Sequence, residues 1–250
     1  MTADEYLDGL LQKYIVDVAG AKAAGETIYP ILEKWGNQYL NAAGFSGSLA
    51  KGTGISASTD ADIFLSLTST TPGTLSDMYS TLYNAVTAAG YTARKQDVSI
   101  GVTVNGYSID LVPGRRQSQY GNDHSLYRNR KGTWTQTNVD AHISFVKGSN
   151  RVDEIRILKL WRLRQGLSIS SFYLELAVID SLQYARIGNT AANVWRALEH
   201  LRDNIKTARY VDPANTNNVV SDDYTQAEKA EIAAKAGESL GKKTWEEIVW

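Results

Sequence analysis

The spacing of apolar residues predicts two helices at the start of the chain. Apolar residues recur three or four positions apart over residues 6–18 and again over residues 28–40, which is the period of a helix with one buried face. Residues 20–25, with a glycine at each end, predict the break between the two helices. The apolar positions are Tyr6, Leu7, Leu10, Leu11, Tyr14, Ile15 and Val18, then Ile28, Ile31, Leu32, Trp35, Tyr39 and Leu40.

The apolar run at residues 63–67 predicts a buried strand that two aspartates precede. Because strand side chains alternate between faces, Asp60 and Asp62 should point the same way. Two carboxylates about 7 Å apart on one strand repel each other unless a partner compensates. Mg²⁺ is such a partner, since it takes hard oxygen ligands from one or two carboxylates and from substrate phosphates. A polar strand end beside a flexible loop is the alternative.

A turn rich in glycine and serine comes shortly before these aspartates. Gly47 and Ser48 let backbone N–H groups approach phosphate oxygens closely, and the serine hydroxyl and Lys51 can add donors. The turn therefore predicts the phosphate-binding half of a site whose metal-binding half is the Asp-x-Asp pair.

Residues 99–112 predict a hairpin that carries a third aspartate. Two alternating runs flank Asn105-Gly106, which is a strong hairpin signal because both turn residues must take positive φ. Asp110 lies in the middle of the second run, and we expect Pro113 to close that strand. A carboxylate inside an apolar run needs a partner. We favour a third ligand for the same ion over an isolated surface aspartate.

Between and after these strands the pattern is mixed. Residues 75–89 predict a helix that Gly90 ends, and residues 91–94 predict a short strand. Residues 114–138 are polar and lack periodicity, so we expect a long loop whose basic and aromatic residues suit a nucleotide or a single-stranded acceptor. A solvated loop with a few aromatic anchors fits equally well. These residues are Arg115, Arg116, Tyr120, Tyr127, Arg128, Arg130, Lys131 and Trp134.

From Arg151 onward the apolar pattern is helical. It predicts a helix that Gly166 ends, an apolar helix at 172–187 capped by Ser170-Ser171, a helix from a Thr190 cap to 205, and a last helix at 225–240. Residues 212–218 predict a turn-rich connector, and Trp245, Ile248 and Trp250 should dock the C-terminal end. Glu175 stands alone in its apolar helix, so we expect it to pair with a neighbouring helix.

Composition narrows the function classes. The 250 residues predict one or two domains, and 26 basic against 27 acidic residues give a net charge of −1, which favours no large nucleic-acid partner. The absence of cysteine excludes disulfides and thiolate chemistry, and three histidines disfavour a histidine-rich metal site. The acidic N-terminus has no signal pattern, and the most apolar stretch is too short to span a bilayer. We expect a cytoplasmic protein with no membrane partner.

Taken together, these motifs resemble those of the nucleotidyltransferase superfamily that includes DNA polymerase beta. The form G-S-x-x-K-G-T, then T-D-A-D-I-F, then I-D-L-V-P is most similar to its template-independent branch. That branch contains archaeal-type CCA-adding enzymes, oligoadenylate synthases and bacterial relatives of cyclic GMP-AMP synthase. I-L-K-L-W and S-S-F-Y-L-E-L extend the resemblance, which runs from about residue 44 to residue 219.

The resemblance implies an α+β fold: a small mixed or antiparallel sheet with flanking helices, then a helical lobe, with the active-site cleft between them. We expect residues 1–146 to form the catalytic lobe with the N-terminal helices, and residues 147–250 to form the helical lobe. The implied catalytic and metal-binding residues are Asp60, Asp62 and Asp110, which would hold two Mg²⁺ ions, with Mn²⁺ as a substitute. The implied nucleotide-binding residues are Gly47, Ser48, Lys51, Lys159, Ser171 and Phe172.

The implied activity joins NTPs, or dNTPs, into a short oligonucleotide or cyclic nucleotide and releases pyrophosphate. Such a product would signal in antiviral defence through a downstream effector protein. One alternative is nucleotide addition to the 3′ end of tRNA or another nucleic acid, although 250 residues leave little room for domains that measure a tRNA. A second alternative is a catalytically silent binder of nucleotide or partner, which would not need three carboxylates.

Overall fold

The computed structural model describes residues 1–58 and 60–250, and the chain forms two compact units. We call Asp17–Lys51 and Ser58–Ile143 the sheet unit, and Met1–Val16, Gly52–Ala57 and Ser144–Trp250 the helical unit. Ile143 is close to the expected boundary at residue 146. The first helix and residues 52–57 group with the helical unit, whereas the expected ranges placed them in the first lobe.

The elements alternate between helix and strand up to residue 148 and are mostly helical afterwards. In chain order they are α1 Ala3–Lys13, α2 Val18–Gly36, β1 Leu40–Phe45, α3 Gly47–Lys51, β2 Ala61–Leu67, α4 Leu75–Ala88, β3 Ala93–Lys95, β4 Ile100–Val104, β5 Tyr107–Arg116, β6 His124–Arg128, β7 Thr133–Thr137, α5 Val139–Gly148, α6 Val152–Arg164, α7 Ser171–Ser181, α8 Thr190–Asp203, β8 Val211–Asp212, β9 Asn215–Val219 and α9 Gln226–Leu240.

Seven strands form the sheet of the sheet unit, in the order β1-β2-β5-β4-β3, with β6 pairing with β5 and β7 pairing with β6. β2 and β5 run parallel, while the other pairs are antiparallel, so the sheet is mixed. One face buries the apolar residues of β2, β4 and β5 against α2 and α4. The expected mixed sheet with flanking helices is confirmed.

The strand that carries the first two aspartates forms as predicted. β2 begins at Ala61, so Asp60 directly precedes it and Asp62 is its second residue. Six of its seven residues are buried, and the exception is Asp62, which is half-buried. The apolar run thus specifies a strand in the middle of the sheet whose N-terminal end carries both carboxylates.

The β4–β5 hairpin is also confirmed. Asn105 and Gly106 have φ of 51° and 84°, as a two-residue hairpin turn requires. The prediction that Pro113 ends the strand is wrong, because β5 continues to Arg116. Proline is tolerated there because β4 pairs with β5 only up to Leu111 and β6 pairs with it only from Gly114.

The break between the two N-terminal helices lies at residues 14–17 rather than at 20–25. Asp17 caps α2 by accepting a hydrogen bond from Gly20 N at 2.9 Å. Gly20 and Gly25 lie inside α2, where neighbouring side chains leave no room for a larger residue. A Cβ at Gly20 would overlap Tyr107 Oη, and a Cβ at Gly25 would come 3.2 Å from Ile63 Cδ1. These glycines allow close packing and do not end a helix.

Residues 114–138 do not form the expected long loop. They contain the end of β5 and the hairpin β6–β7, whose polar strands lack the alternation that would have predicted them. Several of the basic residues hold this hairpin and its neighbours in place. Arg115 Nη1 donates to Gly73 O at 2.8 Å, and Arg128 Nε contacts Asp97 Oδ2 at 3.2 Å. Two other elements, β1 and α5, were not predicted.

In the helical unit, α1 and α6 to α9 bury one continuous apolar core. Gly166, with φ of 68°, follows α6 as predicted, and the last helix was predicted at its observed position. The apolar helix α7 ends at Ser181 rather than at 187, and Asn189 rather than Thr190 caps α8. The expected connector at 212–218 contains most of the β8–β9 hairpin.

The C-terminal end is docked, as predicted. Ile248 and Val249 are buried, and Tyr6 Oη donates to Val249 O at 2.8 Å. Among the described residues, no helix combines the length and the apolar character needed to cross a bilayer.

Candidate functional site

Parallel pairing of β2 with β5 brings two of the predicted aspartates side by side. Asp62 and Asp110 are direct register partners, so both side chains project from the same face of the sheet. Neighbouring strands are about 4.8 Å apart, which leaves little distance between the carboxylates. Asp60 lies one residue before β2 and is exposed.

The three carboxylates influence one another electrostatically. Burial, together with the charges of Asp110 and Asp60, raises the pKa of Asp62 to about 6, against a lowering contribution from Lys51. Burial and the charge of Asp60 also raise the pKa of Asp110. A donor from Ser48 N favours the charged form of Asp62. The sheet unit therefore gathers negative charge that its own residues only partly compensate.

The Gly-Ser turn is fastened to Asp62. Ser46 N donates to Asp62 O at 2.8 Å, which fixes the start of the turn beside β2. Gly47 has φ of 54°, and a Cβ on this residue would lie 1.8 Å from Asp62 Oδ2. Only glycine satisfies both the backbone conformation and this close approach. The turn is therefore packed directly against the Asp62 carboxylate.

Lys51, at the end of α3, is 7% exposed, so it does not simply face solvent. Its charge lowers the pKa of Asp62, which places its positive charge within electrostatic range of that carboxylate. A hollow of about 150 Å³ opens beside these residues and is lined in part by Ser46, Gly47, Lys51 and Asp62. The sheet unit therefore brings five predicted residues together: Gly47, Ser48, Lys51, Asp62 and Asp110.

Asp110 is held by two neighbours that the sequence analysis missed. Gln96 Nε2 donates to Asp110 Oδ1 at 2.9 Å, and Ser99 Oγ donates to Asp110 Oδ2 at 3.3 Å. Gly101 lies opposite Asp110 on β4, and a Cβ there would come 2.7 Å from Gln96 Nε2. The available signal was the hairpin register, since a two-residue turn at 105–106 sets position 101 opposite 110.

The donor set fits a divalent cation. Over residues 1–58 and 60–250, no three His, Cys, Asp or Glu side chains are already grouped so that they could hold an ion. Mg²⁺ is nevertheless typically held by only one or two carboxylates, with waters and substrate phosphates completing the shell. Asp62 and Asp110 are adjacent hard oxygen donors whose pKa values are raised first by burial and then by neighbouring carboxylates, and a cation would favour their charged forms.

In the helical unit, Lys159 belongs to a buried ion pair. Its Nζ donates to Glu175 Oε1 at 2.6 Å and to Thr53 Oγ1 at 2.9 Å. The prediction that Glu175 pairs with a neighbouring helix is confirmed, because Lys159 lies on α6 and Glu175 on α7. The role of Lys159 in binding a triphosphate stays a prediction.

Ser171 and Phe172 begin α7. Ser170 is the N-cap residue, as expected for the Ser-Ser pair, and accepts a hydrogen bond from Tyr173 N at 3.1 Å. Arg162 Nη1 donates to Ser171 Oγ at 3.3 Å. Phe172 is half-buried and packs against the core of the helical unit. The structure thus gives both residues local contacts and leaves their nucleotide contacts as predictions.

No protein-family model and no curated protein matches the chain. Solved structures do. The chain is similar to the CD-NTase CdnG of Bradyrhizobium diazoefficiens, in complex with GTP, with a TM-score of 0.81 and 13% identity over 96% of this chain and 90% of that one. It is similar to CdnC of E. coli MS115-1, with ATP, with a TM-score of 0.75 and 20% identity over 96% and 90%.

A third similar structure is the cyclic dinucleotide synthase CdnE of Elizabethkingia meningoseptica, with GTP and Apcpp. It gives a TM-score of 0.67 and 17% identity over 88% of this chain and 92% of that one. Each likeness covers nearly all of both chains, so the resemblance inferred from the motifs is confirmed at the level of the fold. The chain has the nucleotidyltransferase fold of the bacterial CD-NTases.

Proposed function

We propose that this protein is a metal-dependent, template-independent nucleotidyltransferase that joins nucleoside triphosphates into a cyclic or short linear oligonucleotide. The observation that carries the proposal is the register pairing of Asp62 with Asp110 on parallel strands, next to a glycine turn that touches Asp62. Two adjacent carboxylates, one buried and one half-buried, cost the fold stability through desolvation and mutual repulsion. A bound cation would offset both costs.

In the proposed reaction a nucleotide hydroxyl attacks the α-phosphorus of a triphosphate, and pyrophosphate leaves. Asp60, Asp62 and Asp110 would hold two Mg²⁺ ions, which, when bound, supply Lewis acidity toward the hydroxyl and the phosphates. The proposed role of Asp110 includes taking the hydroxyl proton at its carboxylate. Gln96 and Ser99 orient that carboxylate through the hydrogen bonds described above.

Gly47, Ser48 and Lys51 are the proposed phosphate contacts of the sheet unit. Lys159, Ser171 and Phe172 are the proposed nucleotide contacts of the helical unit. The Mg²⁺ requirement and the release of pyrophosphate are parts of the same proposal.

The product we favour is a signal nucleotide rather than an extended tRNA. Solved structures of similar fold carry GTP, ATP, or GTP with Apcpp, and one of them is a cyclic dinucleotide synthase. These likenesses support nucleoside triphosphates as substrates. A role in antiviral defence, through an effector that reads the product, belongs to the proposal.

The test is product formation from labelled NTPs or dNTPs with Mg²⁺ or Mn²⁺ and no acceptor. We expect a product and pyrophosphate from the native protein and none from Asp60→Ala plus Asp62→Ala. The matched control is Asp222→Ala plus Asp223→Ala, which removes two exposed carboxylates from a short 3₁₀ segment of the helical unit. Activity in the first double variant would overturn the metal assignment, and activity only with added tRNA would overturn the proposed product.

A further inference from the structure

The outer edge of β1 is unpaired and unprotected. In the described part of the chain, β1 pairs only with β2, so it ends the sheet on that side. Proteins usually protect such an edge with charged residues or proline. Leu40–Phe45 contains neither, and Asn41, Ala42 and Gly44 are exposed. The pairing with β2 is irregular between Leu40 and Ala42, which leaves residues 42–45 as the regular part.

Two hollows flank this edge, one on each face of the sheet. The first, of about 220 Å³, is lined by Phe64 and Ser66 of β2, and the second, of about 230 Å³, by Ile63. Because side chains alternate along β2, these residues mark opposite faces. Ala43 and Gly44 of β1 border both hollows. Both volumes lie below the roughly 300–1,000 Å³ of small-molecule pockets, and they suit single side chains better.

The hollow beside Ile63 is apolar. Its wall includes Tyr29, Leu32 and Phe45, and the charged residues Lys22 and Glu26 also line it. Tyr29 is 41% exposed, which is unusual for a large aromatic residue facing a core and leaves apolar surface uncovered. An aliphatic side chain is the occupant that this hollow favours.

The hollow beside Phe64 is the more polar of the two, because Arg116, Asn122, His124 and Asp140 line it beside apolar residues, and one of its donors is unsatisfied. His124 is fully engaged, since its Nδ1 donates to Asn122 O at 2.7 Å and its Nε2 lies 2.8 Å from Ser66 Oγ. Arg116 Nη2 donates to Asn122 Oδ1 at 2.8 Å. Arg116 Nε is buried and has no hydrogen-bond partner among the described residues. A buried donor without a partner costs stability, so this hollow favours an acceptor oxygen.

We propose that β1 is a docking edge for an extended peptide of a partner protein, which adds an eighth strand to the sheet. Consecutive side chains of an added strand point to opposite faces, so one enters the apolar hollow and the next enters the polar one. The partner segment therefore alternates an aliphatic residue with a glutamate or glutamine, whose oxygen accepts from Arg116 Nε. The polar hollow lies on the same face of the sheet as Asp62 and shares Phe64 with the hollow beside the Gly-Ser turn, so the docking edge adjoins the proposed nucleotide site.

A second copy of the chain is the less suitable occupant. If two β1 strands paired with each other, the incoming strand would bring Asn41, Ala42, Ala43 and Gly44 to the hollows. Alanine and glycine fill neither hollow, and of these four residues Asn41 alone carries a side-chain oxygen for Arg116. The composition of β1 thus favours a foreign strand over self-pairing.

The test starts from a phage-displayed library of seven-residue peptides selected against the whole protein. We expect enrichment of peptides in which aliphatic residues alternate with Glu or Gln. The most enriched peptide is then synthesised in two N-methylated versions, one methylated at odd positions and the other at even positions. Only one set of N–H groups faces β1, so one version should lose at least about tenfold in affinity and the other should not.

Two variants test the polar hollow. Arg116→Met should weaken binding of that peptide at least about fivefold. Arg128→Met, on β6 of the same unit, removes an arginine that lines neither hollow and should leave the affinity unchanged. Absence of enriched peptides, enrichment without alternation, or equal binding of both N-methylated versions would each overturn the proposal. Dimerisation of the protein that competes with peptide binding would instead assign the edge to a second copy.

Discussion

Two charge clusters of this protein differ in how their charges are paired: Asp62 with Asp110 in the sheet unit, and Lys159 with Glu175 in the helical unit. The cluster of the sheet unit places like charges side by side, and burial together with the charges of Asp110 and Asp60 raises the pKa of Asp62 to about 6. The cluster of the helical unit places Lys159 against Glu175 at 2.6 Å with Thr53 as a third member. A paired cluster can serve the fold by itself, whereas a repelling cluster needs a ligand from outside. The fold alone accounts for the paired cluster, and the carboxylate cluster is the one that favours a bound cation.

Removing one member of the paired cluster should have the largest effect on stability. We expect Lys159→Met to destabilise the protein by about 3–5 kcal/mol, because it leaves the Glu175 carboxylate buried without its cation. Lys159→Met plus Glu175→Leu should recover most of this loss. Urea unfolding followed by fluorescence measures both.

The same pair of variants tests whether Lys159 also binds the nucleotide. If the double variant folds but requires a much higher NTP concentration for half-maximal rate, the ammonium also binds the triphosphate. If its KM is unchanged, Lys159 is purely structural. Leu158→Ala, a neighbouring buried position on α6, controls for destabilisation alone.

In contrast to Lys159→Met, Asp62→Asn should raise the free energy of unfolding of the metal-free protein at neutral pH. The folded-state pKa of Asp62 is about 6 and the unfolded value is near 3.8, so the folded state binds more protons between these values. Metal-free stability should therefore fall as the pH rises from about 4 to about 7, by up to about 3 kcal/mol for this group. Asp62→Asn should flatten that dependence.

Added Mg²⁺ provides a control for the effect of Asp62→Asn on stability. It should stabilise the native protein above pH 6 and leave Asp62→Asn nearly unchanged, because the variant lacks the repulsion that the cation relieves. Thermal unfolding across pH with and without Mg²⁺ is the measurement. Equal stabilisation of both proteins would contradict the assignment of Asp62 as a ligand.

Gly47→Ala tests the attachment of the turn to Asp62. The substitution meets both a positive φ and a contact of 1.8 Å with the carboxylate. Gly90→Ala meets a positive φ of 91° in open space, where the backbone cost alone is about 1 kcal/mol. We expect Gly47→Ala to cost about 1 kcal/mol more than Gly90→Ala in urea unfolding, and to lower the nucleotidyltransferase rate where Gly90→Ala does not.

Gln96→Leu should have the smallest effect. Loss of the hydrogen bond to Asp110 Oδ1 removes an influence that lowers the pKa of Asp110, so that pKa should rise. The acid limb of the pH–rate profile should move to higher pH, with a rate loss of about tenfold or less at neutral pH. An unchanged profile would contradict an orienting role for Gln96.

Sequence reasoning located the carboxylate site because its signals are local. A buried run marks β2, and Asn105-Gly106 marks the hairpin that carries Asp110. The parallel pairing of β2 with β5 has no local signal, since it joins strands separated by α4, β3 and β4. The resemblance to nucleotidyltransferases predicted that the two strands are neighbours.

Other features were missed for physical reasons. β6 carries one buried apolar residue, Leu126, between polar neighbours, and the residues of β7 are all exposed or half-buried, so no apolar alternation marks either strand in the sequence. The glycines of α2 looked like a helix break because their tight packing against Tyr107 and Ile63 is tertiary. The Lys159–Glu175 contact depends on how α6 and α7 pack, which periodicity does not encode.

The hairpin turn at residues 105–106 has a consequence for the chemistry four positions away. Its length of two residues decides that Gly101, and no residue with a side chain, lies opposite Asp110. That vacancy is where Gln96 reaches the carboxylate. A turn one residue longer would set Ile100 or Val102 there and close the space. Turn length is thus a determinant of the acidity of Asp110, and loop engineering at this hairpin would change a proposed metal ligand without replacing it.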